Sequence, residues 1–294
     1  MPKTKTPSNP ALESLQQIRV AGHRHMRELR LRSFEEAAKF VEEHGIVTLS
    51  PVSELPSLLG AVLGTDEKPK GKGFQALHNP EVWKAWEWFT KLDDRKSAVG
   101  CKVLRGQSTL VHKRLWPYLH RLALERLEAL GAGKLFTKTS REVVDWLANH
   151  GPERSDRVRE AMGLSSREQG KAFKKAKDEL ATYGLLLLSE DTATEPHTHA
   201  PILTLWTAWA PKDVARRAER LSVVEARAEV LCAALDAAVL AAEKAAQHWF
   251  RWDRIELAQA VEHLLSQNRL RWIRDGKASF LASGEASRTF PKLG

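Results

Sequence analysis

The sequence predicts an α+β fold, mostly helical, made of three tandem winged-helix units, each a helix-turn-helix motif closed by a β-hairpin wing. Three observations predict it. Residues 139–209 read as helix, turn, helix, turn, a longer basic helix, and then two apolar strands around a polar loop. A weaker copy of that order runs over 222–283, and a looser one precedes both. The helix-start pattern S/T-x-x-E recurs at Ser33/Glu36, Thr139/Glu142, Ser165/Glu168 and Ser222/Glu225, with Asp253/Glu256 as a related start. In that pattern each side chain satisfies an orphan amide of the first turn.

The resulting organisation is a disordered leader (1–11), an N-terminal winged-helix-like domain (12–137), a central winged helix (138–211), a C-terminal winged helix (212–284) and a tail (285–294). In the first domain, Leu15, Ile18, Gly22, Met26 and Leu29 keep helical spacing from Leu12 onward. A helix over 34–44 stops at Gly45, and a strand over 46–49 follows. Ser50-Pro51 then introduces a helix through Leu63, since Ser caps well and Pro suits a first turn. The Lys-, Gly- and Pro-rich stretch 65–80 reads as a loop, and 81–92 as an aromatic helix. Alternating strands at 98–104 and 108–112 flank Arg105-Gly106-Gln107, so 98–112 is the hairpin of this domain. Residues 117–138 are helical.

The central unit has helices at 140–149, stopping before Gly151-Pro152, at 155–162, stopping at Gly163, and at 166–183, stopping at Gly184, then strands at 185–188 and 202–209 around a loop at 189–201. The last unit begins with one long helix, 222–248. A helix at 253–267 follows, and strands at 270–274 and 277–282 turn at Asp275-Gly276.

Composition narrows the function. The 294 residues are 43% hydrophobic and 28% charged, enough to bury substantial cores. Net charge is +9 and the sequence pI about 9.6, on the basic side expected of a nucleic-acid binder. Residues 1–32 hold seven Lys and Arg against two Glu, leaving +5 in about a tenth of the chain. Such a segment favours phosphate through counterion release, although a solvated basic face has the same composition. The two cysteines, Cys101 and Cys232, are far apart, which argues against a disulfide scaffold and against a zinc site. The N-terminus lacks the apolar core of a secretory signal. Charges at Glu225, Glu229, Asp236 and Glu243 exclude a membrane span in the most apolar helix. Walker A, GxGxxG, HExxH and Ser/His/Asp patterns are absent, so neither cofactor nor metal is expected. His197 and His199 share one loop, but no third ligand lies nearby in sequence. The expected compartment is the cytoplasm, with nucleoid association when bound, and the expected state is monomeric.

On helix 166–183, Arg167, Lys171, Lys174 and Lys175 fall on one face, and Ala172, Phe173, Ala176, Leu180 and Tyr183 on the other. A recognition helix needs that arrangement: the apolar side packs while the basic side meets phosphates and base edges. An ordinary amphipathic surface helix shares it. Asp178 on the basic face and an acidic wing (Glu190, Asp191, Glu195) oppose phosphate. Helix 253–267 presents Glu256, Gln259, Glu262, His263 and Gln267 outward from a Leu257, Ala258, Val261, Leu264, Leu265 stripe, and so reads as a packing module. At the hairpin tip, Arg105 suits a minor groove and Gln107 a base edge, and an exposed turn accounts for both equally. Trp83, Trp86 and Phe89 repeat at helical spacing and read as core; Trp88 falls off that stripe and is the base-stacking candidate.

The segments GIVTLSP (45–51), ELPSLLGAVLG (54–64), WEWFTKL (86–92), KVLRGQST (102–109), WPYLHRL (116–122) and SSREQGKAFKKAKDEL (165–180) carry a resemblance. The chain resembles the AlkZ/YcaQ-like winged-helix DNA glycosylases, in particular their divergent AlkZ-related branch. The likeness covers about residues 34–209, with a fainter match through FRW at 250–252. It implies three tandem winged helices cradling duplex DNA and hydrolysis of the N-glycosidic bond of alkylated or crosslinked bases. It also implies a Gln-aliphatic-Gln or Gln-aliphatic-Asp strand after the second helix, which positions the attacking water. Here that strand reads Thr48-Leu49-Ser50, so both polar members are replaced. A hydroxyl orients water but neither takes a proton like a carboxylate nor carries charge toward a cationic sugar. Thr48, Ser50 and the nearest carboxylate, Glu54, are the catalytic candidates, with Asp93, Asp94 and Glu87 further off. Ser50 is also a good helix cap. The expected partner is double-stranded DNA. The enzymatic reading is base excision in DNA repair; the alternative is a non-catalytic regulator or damage sensor, and duplex RNA a weaker third.

Overall fold

The computed structural model describes residues 10–52, 54–67, 79–94, 96–133, 135–189, 200–275 and 278–284. One element order occurs three times: helix, strand, two helices, then a strand pair. The first set is α2 (Phe34–His44), β1 (Ile46–Thr48), α3 (Leu58–Leu63), α4 (Pro80–Leu92), β2 (Ala98–Leu104) and β3 (Gln107–His112). After α5 (Trp116–Gly131) comes α6 (Lys138–His150), β4 (Glu153–Arg154), α7 (Ser155–Ala161), α8 (Arg167–Thr182), β5 (Leu186–Ser189) and β6 (Ile202–Leu205). Two short helices, α9 (Trp206–Trp209) and α10 (Lys212–Ala218), lead to α11 (Val223–Ala238), β7 (Leu240–Ala242), α12 (Glu243–Ala246), α13 (Arg254–Ser266), β8 (Leu270–Asp275) and β9 (Ala278–Ser283). A first helix, α1 (Pro10–Gly22), precedes them all. The three antiparallel sheets run β1-β3-β2, β4-β6-β5 and β7-β9-β8. In each repeat the last strand is central, so the short first strand ties the opening helix to the hairpin.

The caps explain most boundaries and several departures from expectation. Ser33 and Gly45 bound α2 as expected. A Cβ on Gly45, at φ 74°, would lie 2.5 Å from Arg114 Nη2. That guanidinium donates to the Glu42 and Glu43 carbonyls, capping the C-terminal end of α2. No helix starts at Ser50: Pro51, Val52, Glu54, Leu55 and Pro56 are not helical, and Ser57 caps α3 by accepting from Gly60 N. The capping box of α8 is Ser166/Gln169, one residue later than Ser165/Glu168, and Thr137 rather than Thr139 caps α6. The strand expected over 202–209 ends at Leu205, and α9 takes its remainder.

The largest departure is the long helix over 222–248. It stops at Ala238, where Val239 adopts φ 65°, and β7 and α12 follow. Val is a β-branched residue that rarely enters the left-handed region. Val239 is held there fully buried among Leu12, Leu15, Leu240, Ile273 and Ala282. No glycine or proline marks the break, so local sequence continues the helix where packing ends it. The periodicity of 12–29 also runs too far: α1 ends at Gly22, and Met26 and Leu29 lie in turns. Of the expected leader and tail, residues 1–9 and 285–294 lie outside the described residues, as do 68–78 and the wing loop 190–199.

The repeats share a core. One continuous apolar cluster runs from Ile46, Val103 and Leu104 through Leu180, Leu186, Leu203 and Trp206 to Leu231, Trp249, Leu264 and Leu281. Helix α5 packs against α10 and α11, and β2 lies beside β5 and α8. At this junction Arg126 Nη2 donates to Glu256 at 2.7 and 2.9 Å. Arg227 Nη2 donates to Glu125 at 2.6 and 2.7 Å and to Glu256 at 2.5 Å. Both arginines are buried, so each charge relies on these partners rather than on water.

Three histidines meet where α1 ends. His23 lies 5.3 Å from His25 and 5.8 Å from His44, centroid to centroid. His23 Nε2 bonds the Ala237 carbonyl at 2.7 Å, and His44 Nε2 the Gly22 carbonyl at 3.0 Å. Burial, reinforced by the neighbouring His44 and Arg19, holds His23 well below the ordinary histidine range. Burial likewise lowers His44 to about 4, and burial lowers His25. A base held neutral by the fold takes up its proton sooner in the unfolded chain. Stability is therefore complete above pH ~6.5 and declines as the pH drops toward 4. For His44 alone the loss amounts to about 3 kcal/mol. Urea midpoints measured between pH 7.5 and 4.5 should fall, and fall less steeply for His44→Asn. Equal slopes in the two proteins would remove this cluster as the cause.

Candidate nucleic-acid interface

Helix α8 carries the basic face. Phe173, Ala176, Leu180 and Ala181 are buried, while Lys171, Lys174 and Lys175 are exposed. Ala172, placed on the apolar side by the sequence, is exposed as well. The helix is pinned to α6 by Glu179, which accepts from Ser140 Oγ at 2.5 Å and from Thr137 N at 3.3 Å. Lys171, Lys174 and Lys175 line one concavity together with Asp178, Glu179, Thr182, Tyr183 and Arg251. Asp178 and Glu179 are the carboxylates of this concavity, and both oppose phosphate there. Lys177, beside them, is half-buried; burial, with Lys102 and Lys174 adding repulsion, lowers its pKa. Arg167 opens the helix and is exposed, but it does not line this concavity.

The hairpin tip reaches the same place. Arg105 and Gly106 both have positive φ, 52° and 72°, the two-residue turn whose twist matches an antiparallel hairpin. Its strands close at Leu104 and Gln107. The tip does not stand free as a groove probe. Arg105 N donates to the Trp249 carbonyl at 3.0 Å and its Nε to the His248 carbonyl at 3.3 Å, which docks the first repeat on the third. The remainder of Arg105 is at the rim of a second concavity of about 610 Å³, shared with Arg126, Tyr183, His248, Arg251, Trp252 and Glu256. Gln107 is exposed beside it.

The three catalytic candidates lie at this end of the first sheet but outside both concavities. Thr48 pairs with Thr109, and Leu49 N donates to the Ser108 carbonyl at 2.8 Å, so Ser50 emerges toward the hairpin tip. Thr48 itself is fully buried. Its hydroxyl donates to the Ser50 and Pro56 carbonyls at 2.8 and 3.1 Å, shaping the chain instead of facing solvent. Ser50 and Glu54 are half-exposed.

Trp88 is not placed to stack on a base. It is 7% exposed, packed with Ala85 and Leu92 in the first repeat's core, and Lys84 Nζ sits 4.5 Å from its ring. Trp83, assigned to the core by its spacing with Trp86, is instead 50% exposed. Both stripes satisfy helical periodicity, and packing on α3, with α2 and β2 beside it, selects Ala85–Trp88–Leu92. The residue that sequence reasoning missed is Arg251, which lines both concavities. Its signal was the FRW triplet at 250–252.

Three copies of one helix–strand order, each closed by a three-stranded antiparallel sheet, define the class: a mixed, mostly helical fold of tandem helix-and-hairpin repeats. The chain belongs to the AlkZ-related family, whose model matches residues 31–251. Its fold is similar to that of the Streptomyces sahachiroi DNA glycosylase AlkZ, at 15% sequence identity and a TM-score of 0.51, over 94% of this chain and 71% of that one. No curated protein matches the sequence. Among the described residues, no helix is long and apolar enough to cross a membrane.

Proposed function

We propose that the protein binds double-stranded DNA across the α8 groove and acts in DNA repair as a glycosylase-like lesion-recognition protein. The observation that carries this reading is the shared concavity of Lys171, Lys174, Lys175 and Arg251 in a chain of this family. Cations on one concave face neutralise successive phosphates, and the released counterions supply affinity. Arg105 and Gln107 border the same region, so the hairpin tip orients the duplex through its rim. Arg167 extends the basic surface toward the start of α8.

For base excision, the reading assigns Glu54 and Ser50. Glu54 supplies the carboxylate that activates or orients water, and Ser50 holds that water by hydrogen bonding. Thr48 is a positioning residue, since its hydroxyl fixes the Ser50 and Pro56 carbonyls. Incubation with a duplex carrying alkylated purines should yield abasic sites, and Glu54→Gln should slow their formation about a hundredfold or more. Full activity in Glu54→Gln would remove the site assignment. Damage-selective binding without abasic sites would instead establish a sensor, the second reading, which the buried Thr48 hydroxyl favours.

A further inference from the structure

From the outer face of α13 we infer that the third repeat pairs two copies of this chain about a two-fold axis, in place of the monomer expected from sequence. Helix α13 has two apolar sides. Ala260 and Leu264 are buried in the shared core where α13 packs on α11. Leu257, Val261 and Leu265 face the hairpin instead, and with Trp272 and Leu281 they line a groove of about 420 Å³. The groove stays open because α12 has only four residues, against six in α3 and seven in α7, and that end contributes just Glu243 and Gln247. Of the large apolar side chains exposed among the described residues, half are here: Ile255 at 69%, Trp272 at 40% and Leu265 at 36%. Apolar surface gathered in this way marks a contact surface.

What fits this face is another copy of it. At 3.6 residues per turn, Arg254, Ile255, Ala258, Val261, Glu262 and Leu265 fall on one side of α13. Arg254 and Glu262 each lie one turn from Ala258, in opposite directions. Two such helices laid antiparallel across Ala258 therefore set Arg254 of each beside the partner's Glu262, and Ile255 beside the partner's Val261. Ala258 is small and exposed, so the helix axes can approach closely at the crossing. Ile255 then enters the groove by Val261, Leu265 and Trp272, and the same knob and hole recur across the axis. Arg254 and Glu262 are both exposed, and neither has an ion-pair partner among the described residues. Glu243 adds a further carboxylate at the rim. A face carrying a knob, a hole and one charge of each sign on either side of its centre complements itself, which selects a two-fold copy over a partner of single charge. The α8 lysines do not line this groove, so the pairing is independent of the duplex-binding reading.

Sedimentation equilibrium of the full chain without DNA, from ~1 to ~100 μM, should show a monomer–dimer equilibrium. Arg254→Glu and Glu262→Arg should each raise its dissociation constant about tenfold or more, because each sets like charges together twice across the axis. The double variant restores opposite charges and should recover most of the wild-type affinity. Ile255→Asp should abolish the dimer by removing both knobs. These three side chains are exposed, so each variant should keep the fold, which circular dichroism checks. Should Ile255→Asp fail to fold, Ala258→Arg blocks the crossing instead. A chain that stays monomeric at ~100 μM overturns the pairing and leaves the face to a different protein partner. A dimer indifferent to Ile255→Asp and to both charge reversals overturns it equally, since its contact then lies elsewhere.

Discussion

Replacing Lys171, Lys174 and Lys175 together with alanine should weaken duplex binding by about two to three orders of magnitude near 0.1 M salt. Each lysine that neutralises a phosphate releases roughly one counterion, and each release is worth close to a decade of affinity at that concentration. The log–log dependence of affinity on salt should also flatten by about one unit per lysine, nearly three in total. The substitutions should leave the fold in place, because all three side chains are exposed and Phe173, Ala176 and Leu180 hold the opposite face. Fluorescence anisotropy across a salt series reads both quantities. An unaltered slope would mean that phosphates dock elsewhere, and the groove would lose its role. The loss should be uniform across sequences, since phosphate contacts carry no base information.

Glu256→Ala should destabilise the protein by about 3–5 kcal/mol, measured as the free energy of urea unfolding. Glu256 accepts from Arg126 and Arg227, both nearly buried, and its backbone-directed oxygen also caps Asp253 N at 2.8 Å. Removing the carboxylate leaves Arg126 without this partner, leaves Arg227 with Glu125 alone, and orphans a helix-start amide. Because α5, α11 and α13 all meet at this carboxylate, unfolding should become less cooperative as well as easier. Glu256→Gln should recover part of the loss, as an amide oxygen still accepts a hydrogen bond and still fits the cap. A loss below about 1 kcal/mol would show the network to be screened like a surface pair.

The central repeat was the most legible in sequence. Each of its three helices ends within two residues of a glycine, and its lysines and its buried Phe173, Ala176 and Leu180 fall on opposite faces of α8. The third repeat was legible only in its second half. Val239 bears no signal of a helix end, so β7 and α12 were hidden inside one apolar run. The two-residue strand β4 is likewise too short to leave a pattern. In α4 two apolar stripes competed, and choosing between Trp83 and Trp88 required knowing which side faces α3 and the core around it. The α8 lysines were readable because amphipathicity is local. Arg251 was not, because a loop arginine becomes part of a groove only when another repeat arrives beside it. Arg105 failed in the opposite sense: its tip position suggested freedom, while the third repeat supplied carbonyls that hold it.

The sequence by itself determined the repeating helix-and-hairpin plan, the charge of α8 and most helix starts, since caps, periodicity and charge act within a few residues. The tertiary structure alone decided where the long apolar helix breaks, that Thr48 is sealed in the sheet, and that Tyr183 and Arg251 join the α8 groove to the concavity beside the hairpin tip. The first and last of these depend on contacts between residues more than a hundred positions apart, such as Val239 with Leu12 and Arg105 with His248. Burial at such contacts overrides local preference because it removes polar groups and rings from water together, an effect no short window of sequence contains.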